Sequence, residues 1–302
     1  MSRRGRSTPG VDGLLLLDKP AGPTSHDCVS AVRRLFGQRR VGHAGTLDPA
    51  ARGLLLVGLG RATRLLEYLA GCDKGYHGQI VLGRETDSYD DQGAVTAESD
   101  ASPLTQPMVA EALARFQGEI QQRPPMVSAK KVGGQPLHRL ARRGETVEIE
   151  PVTVRLDQVD LTAFEPGPAA LAEVVVACGA GTYIRSLAHD LGQALGVGGH
   201  LRGLVRDRVG GFDLSEAVSL ADLEAMDPAQ RLGCLRPLRE CVRDLPTAVV
   251  PAELRAALGM GQALAIEGLT GVVALLDEAG ELLAVGVGDG AVVRPRKVVS
   301  GD

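Results

Sequence analysis

The chain contains no tryptophan, and aromatic residues make up only 3% of it. Its core must therefore be assembled from Leu, Val, Ile and Ala, and each of the four tyrosines invites a functional question. The five cysteines, at 28, 72, 178, 234 and 241, are odd in number and form no Cys-x-x-Cys pair. That argues against a disulfide framework or a zinc site and favours a reducing compartment. The longest apolar runs, such as Leu14 to Leu17, fall far short of the ~20 residues of a membrane span. No apolar signal core follows Met1-Ser2-Arg3-Arg4-Gly5-Arg6, so a cytoplasmic protein is expected. Gly58-Leu59-Gly60 lacks the third glycine of a dinucleotide-binding fingerprint.

What is present is an ordinary globular composition with an uneven charge distribution. The 302 residues are 44% hydrophobic and 23% charged, which suggests about two domains with real cores. Net charge is −4, but residues 1–64 hold 11 Lys/Arg against 4 Asp/Glu, and residues 123–143 hold 6 Lys/Arg and no acid. Residues 85–119 carry 8 acids and 1 Arg, which conceals those basic surfaces in the total. Basic patches attract phosphates, although any one of these runs is also what a solvated face looks like.

Residues 1–10 are polar and basic, and are expected to be disordered. Gly13 to Asp18 reads as a buried strand. A helix follows, capped by Thr24 or Ser25, with Val29, Val32, Leu35 and Phe36 on one face and Gly37 closing it. The segment 38–53 has no periodicity and reads as a Gly-rich loop. Leu54 to Leu59 is a buried apolar run, Ala62 to Leu69 a short helix, and Tyr76 to Leu82 a half-buried strand. Val109 to Phe116 is an amphipathic helix. Residues 123–150 form a basic, Pro/Gly-punctuated arm. Val152 to Leu161 and Ala172 to Cys178 are strands, and Ile184 to Leu195 is a helix. From residue 245 onward short strands and tight turns, Asp277 to Gly280 and Asp289-Gly290, predict a run of hairpins in a small β domain.

Several residues offer chemistry. Asp48 lies in the loop His43-Ala44-Gly45-Thr46-Leu47-Asp48-Pro49, where a carboxylate can act as nucleophile, base or ligand. Alone, Asp-Pro more often starts a turn. His43 can pair with it or be structural. Tyr76, opening a strand, is either a stacking platform or core packing. Tyr183 and Arg185, in Gly181-Thr182-Tyr183-Ile184-Arg185, sit where a strand hands over to a helix. No second acidic cluster accompanies Asp48 to build a metal site.

The motifs in combination resemble the TruB family of pseudouridine synthases. The resemblance rests on Asp18-Lys19-Pro20 with Thr24-Ser25-His26-Asp27, on Arg40 to Pro49, Gly53 to Gly60, Lys74-Gly75-Tyr76, Leu82-Gly83 with Thr86-Asp87, Pro124-Pro125 with Ser128-Ala129, Gly181 to Arg185, and Gly198-Gly199-His200 leading to Leu204 and Arg206. It spans residues 11–220. The segment Asp277 to Val298 is similar to a PUA-like RNA-binding domain. The resemblance implies an α/β (α+β) pseudouridine synthase fold: a mixed, largely antiparallel sheet flanked by helices, with 11–244 as the catalytic domain and 245–302 as the PUA-like one.

It also implies roles. Asp48 looks like the nucleophile, kept anionic by an ion pair with Arg185. Tyr76 looks like the ring that stacks on the target uracil. His43 fills space vacated in the RNA, and Tyr183 and Leu204 wall the uridine pocket. Arg39, Arg40, Lys130, Lys131, Arg142, Arg143 and Arg206 would hold phosphates. The implied substrate is uridine 55 in the T-arm of tRNA, flipped out of its stack. No cofactor or metal, no membrane and no obligatory protein partner is implied, and the expected state is a monomer. His138, Asp207 and Ser88 depart from the family pattern. The same basic surfaces also suit a non-catalytic RNA-binding or tRNA-folding protein, and the same carboxylate suits a base-excising glycosidase.

Overall fold

The computed structural model describes residues 10–126, 131–132, 135–136 and 149–299. Of the N-terminal stretch expected to be disordered, only Gly10 lies within them. Their centre is a mixed, ten-stranded sheet. In chain order its principal strands are β1 (Gly13–Lys19), β2 (Val41–Ala44), β3 (Arg52–Leu59) and β4 (Lys74–Leu82). A small hairpin of β5 (Arg84–Thr86) and β6 (Val95–Glu98) lies outside this sheet. The sheet continues with β7 (Gly118–Gln122) and, after the short pair β8 (Lys131–Val132) and β9 (Gln135–Pro136), with β10 (Val152–Glu165), β11 (Ala170–Cys178) and β12 (Gly199–Val209). The two-residue strands β13 (Phe212–Asp213) and β14 (Val218–Ser219) complete it.

The spatial order β14-β1-β3-β12-β4-β11-β10-β7 defines two halves. All neighbours are antiparallel except β1 with β14 and β3 with β12. The β3–β12 joint is short: Val205 opposes Arg52 and Arg206 opposes Gly53. The first half is built from strands buried on both faces, which explains their unbroken apolar runs. Leu14, Leu15 and Leu17 of β1 and Leu54 to Val57 of β3 are fully buried. The helix Ser25–Leu35 covers one face with Cys28, Val29 and Val32, and a capping box between Thr24 and Asp27 starts it. The second half packs Ile80, Leu82, Val174 and Val176 against Leu187 and Leu191 of the helix Ile184–Ala194.

Several expectations are corrected. The segment 38–53 is not all loop, because β2 forms inside it and pairs with β3, His43 opposite Val57. Its β character is supplied by that partner strand, not by its own pattern. The helix expected at 62–69 is a 3₁₀ turn, Gly60–Arg64, followed by a helix at Leu66–Ala70. The helix expected at 109–116 runs from Gln106 to Ala114, with Pro107 tolerated in its first turn. Tyr76 does not open its strand: β4 starts at Lys74, and it is an interior strand paired with β11 and β12.

The C-terminal strands β15 (Thr247–Val249), β16 (Thr270–Leu276), β17 (Leu282–Asp289) and β18 (Val293–Val298) form a separate four-stranded sheet. The two expected hairpins are present, but β15 runs parallel to β16. This sheet shares a buried cluster with the first half through Ala274, Leu282, Val285 and Val299. Its basic end is used inward. Lys297 pairs with Glu67 and donates to the Arg64 carbonyl at 2.6 Å, and Arg64 donates to the Val298 carbonyl at 2.7 Å. Among the described residues no helix is long and apolar enough to cross a membrane.

Candidate active site

A cavity of about 240 Å³ opens beside the joint between the two halves of the sheet. Its walls include Asp48, Lys74, Tyr76, Tyr183, Arg185, Leu204 and Arg206. They arrive on four separate elements. Asp48 rides the loop between β2 and β3, Tyr76 is inside β4, Leu204 and Arg206 are on β12, and Tyr183 and Arg185 open the helix after β11.

The Asp48 loop is held by polar groups that are themselves buried. Lys19, at the end of β1 and 0% exposed, donates from Nζ to the carbonyls of Pro49 at 3.1 Å and Ala51 at 2.7 Å. The Ser25 hydroxyl accepts from the Leu47 amide at 2.9 Å and lies 3.0 Å from the Leu47 carbonyl, to which it donates. Arg206 donates to the carbonyls of Gly45 at 3.0 Å and Leu54 at 2.8 Å. The loop is therefore fixed on both sides of Asp48, while the Asp48 side chain stays 40% exposed toward the cavity.

Arg185 grips that carboxylate with one edge. Its Nε lies 2.9 Å from one oxygen and its Nη2 donates to the other at 3.0 Å, a two-point ion pair between residues 137 positions apart. Nη1 points the other way, donating to the Ser88 carbonyl at 3.2 Å and lying 3.4 Å from the Asp90 carboxylate. Burial is the largest influence on the Asp48 carboxyl and pushes its pKa above the ordinary value, against the pull of Arg185. The Asp90 charge pushes the same way as burial, and Lys19 opposes it. Arg185 was expected to depress that pKa. It does pull downward, but desolvation outweighs it.

Tyr76 stands opposite Arg206 in the β4–β12 register and is 7% exposed. Burial raises its pKa, and the neighbouring Arg206 charge partly offsets this. Arg206 was expected to hold phosphate at the surface. It is instead 1% exposed, with its guanidinium committed to the carbonyls of Gly45 and Leu54. Arg39 and Arg40 are exposed just before β2 and do not line the cavity. His43 is in β2 and does not line the cavity; burial, with Arg206 and His26 nearby, lowers its pKa. Lys130, Arg142, Arg143 and His138 lie outside the described residues, and of Lys131 only the strand position is described.

Sequence reading missed four residues. Asp90 shares Arg185 with Asp48, although only Thr86-Asp87 and Ser88 beside it had drawn attention. Lys19 was noted without a role; its signal was a lysine closing a four-leucine strand. Gln122, 0% exposed, exchanges two hydrogen bonds with the backbone of Tyr183, at 2.7 and 3.0 Å. Lys74, in the cavity wall, donates to the carbonyls of Ala70 and Cys72. Among the described residues no group of His, Cys, Asp and Glu is arranged to hold a metal.

The sequence model of the TruB family pseudouridylate synthase N-terminal domain matches residues 33–184, and that of the tRNA pseudouridylate synthase B C-terminal domain matches 185–250. The chain belongs to the TruB family. It is 53% identical over 228 residues to tRNA pseudouridine synthase B of Symbiobacterium thermophilum, covering 74% of this chain and 76% of that one. It is 44% identical over 294 residues to the protein of the same name from Mycobacterium tuberculosis strain H37Rv, covering 94% and 96%. The fold extends to an H/ACA RNP structure bound to a substrate RNA containing 2′-deoxyuridine, with TM-score 0.74 and 25% identity, covering 99% of this chain and 93% of that one. It extends as well to the archaeal box H/ACA sRNP Nop10-Cbf5 complex, with TM-score 0.71 and 27% identity over 95% of this chain and 85% of that one. TruB-family membership places the chain among the isomerases that make pseudouridine.

Proposed function

We propose that the protein converts uridine 55 in the T-loop of tRNA to pseudouridine, with Asp48 as the attacking carboxylate. The observation that carries this reading is the two-point Asp48–Arg185 pair in a cavity also walled by Tyr76, Tyr183 and Leu204. The relatives named tRNA pseudouridine synthase B support tRNA as the substrate class.

The reaction breaks the C1′–N1 bond, turns the uracil and joins C1′ to C5. The C5 hydrogen leaves as a proton and N1 takes one up, so atoms balance and nothing is oxidised. An anionic carboxylate serves by attacking the sugar or the base, or by assisting elimination. A cavity of about 240 Å³ is too small for duplex RNA and suits one flipped nucleotide. Tyr76 offers its ring to the uracil. Burial keeps its phenol protonated, so stacking and hydrogen bonding, not charge, are what it supplies at rest. His43, whose lowered pKa keeps it neutral, fills the space the base leaves. Arg39, Arg40, Lys130, Lys131, Arg142 and Arg143 hold phosphates, the last four belonging to the basic arm at 123–150. Residues 11–244 act as the catalytic unit and 245–302 as a PUA-like RNA-binding module. In this reading the enzyme works in the cytoplasm as a monomer, without cofactor or protein partner.

The test is tritium release from T-arm RNA carrying 5-tritiated uridine. Asp48→Asn should abolish release while leaving RNA affinity nearly intact, and product mapping should place pseudouridine at position 55. Unchanged release would refute the nucleophile assignment. Free uracil among the products would replace it with a glycosidase, and a wild-type chain that binds but never releases tritium would be an RNA-binding protein only.

A further inference from the structure

The guanidinium of Arg185 is divided between two tasks. Its Nε and Nη2 edge holds Asp48, while Nη1 is held by Ser88 and Asp90. Between those two residues stands Tyr89. It is the one non-glycine residue with positive φ among the described residues, at 63°. Tyrosine rarely adopts that backbone conformation, and a residue kept there is held by its surroundings. On either side of it the Ser88 carbonyl and the Asp90 carboxylate face Arg185.

The ring lands on His189, nearly parallel, at 13° and 3.9 Å between centroids. His189 is one helical turn after Arg185, on the same face of the helix Ile184–Ala194. His189 is itself seated: its Nδ1 lies 3.3 Å from Glu85, whose other carboxylate oxygen accepts from Gln193 at 3.0 Å. The Tyr89 backbone is tied too, its amide donating to Thr86 and its carbonyl accepting from Leu201. One stacked pair thus joins the loop 86–91 to the helix that carries Arg185.

We propose that Tyr89 and His189 are positioning residues: their stack locks Ser88 and Asp90 onto Arg185 Nη1, which aims the opposite edge of the guanidinium at Asp48. This rests on Asp48 being the catalytic carboxylate. Neither Tyr89 nor His189 lines the cavity, so their effect on Asp48 is routed through Arg185.

The experiment measures single-turnover rate at saturating T-arm RNA together with RNA affinity. Tyr89→Gly deletes the ring yet tolerates the positive φ, so it folds where other truncations would be strained. His189→Ala deletes the opposite ring. Both should slow turnover about ten-fold or more, with affinity changed less than about two-fold. Tyr89→Phe and His189→Phe keep the stack and should stay within about three-fold of the wild-type rate. The proposal is overturned if the folded deletion variants turn over at the wild-type rate, if the Phe variants are as slow as the deletions, or if the loss lies in affinity alone. Wild type and Asp48→Asn in the same assay separate the two readings. An inactive wild type or an active Asp48→Asn strikes the nucleophile assignment instead.

Discussion

Lys19 donates from its ammonium to the carbonyl of Ala51 at 2.7 Å, 32 residues away and out of contact with water. Burial lowers its pKa, and the compensating partners are carbonyls, those of Pro20 and Pro49 being the others. The charge is thus used to hold the loop that carries Asp48.

Replacing Lys19 with Met fills the space but strips those carbonyls of their donor. An unsatisfied buried polar group costs about 1–3 kcal/mol. Lys19→Met should therefore lose about 3 kcal/mol in urea unfolding, allowing for partial relaxation. It should also slow turnover while RNA affinity holds. A variant as stable and as fast as wild type would show that the loop stands without this anchor.

Gly53 lies at the β3–β12 joint with φ of 104°, and a Cβ there would sit 2.2 Å from the Arg206 carbonyl oxygen. Both the backbone conformation and the space exclude a side chain. Gly53→Ala should cost more than the ~1–3 kcal/mol of backbone strain alone, because it also pushes the two halves of the sheet apart. Denaturant midpoints and activity should fall together. Retained stability would mean that the joint is not rigid.

A carboxylate nucleophile must be ionised, so rate is lost as pH falls through its pKa. Burial raises the Asp48 pKa, so the acid limb of the rate profile should lie above the ordinary carboxylate value of 3.8. The Asp90 charge contributes to that rise and the Arg185 charge opposes it. Asp90→Asn should move the limb to lower pH, and Arg185→Gln should move it to higher pH with a large drop in rate. Shifts of opposite sign would exclude Asp48 as the titrating group. Stability runs in the opposite direction. A raised folded-state pKa favours the protonated carboxyl, so ionising Asp48 weakens the fold as pH rises past the ordinary carboxylate range.

The C-terminal sheet shares its buried cluster with β1 and β3, through Leu282 among others. Leu282→Ala should cost roughly 2–5 kcal/mol, and that cost should appear in one unfolding transition common to both sheets. Two separated transitions, followed by circular dichroism and by proteolysis, would show that the sheets unfold independently.

Much of the fold was legible because local pattern and burial agree. The leucines of β1 and β3 are buried on both faces, and their unbroken apolar runs say so. The Thr24 cap and the Ile184–Ala194 helix follow from their own side chains. The strand β2 was not legible, since Val41-Gly42-His43-Ala44 has little pattern of its own and becomes β only by pairing with β3. Arg206 was misread for a related reason. An arginine in a basic run looks like a surface charge, and only the meeting of β12 with the Asp48 loop reveals carbonyls waiting for its guanidinium.

By itself, then, the sequence determined the candidate chemistry: a carboxylate at Asp48, aromatic rings at Tyr76 and Tyr183, a cation at Arg185, and the strands and helices that carry them. The tertiary structure decided their electrostatics. Whether Asp48 is pushed up or held down depends on how much water remains around it and on which charges share Arg185. Those are distances between residues far apart in the chain, which no local pattern encodes.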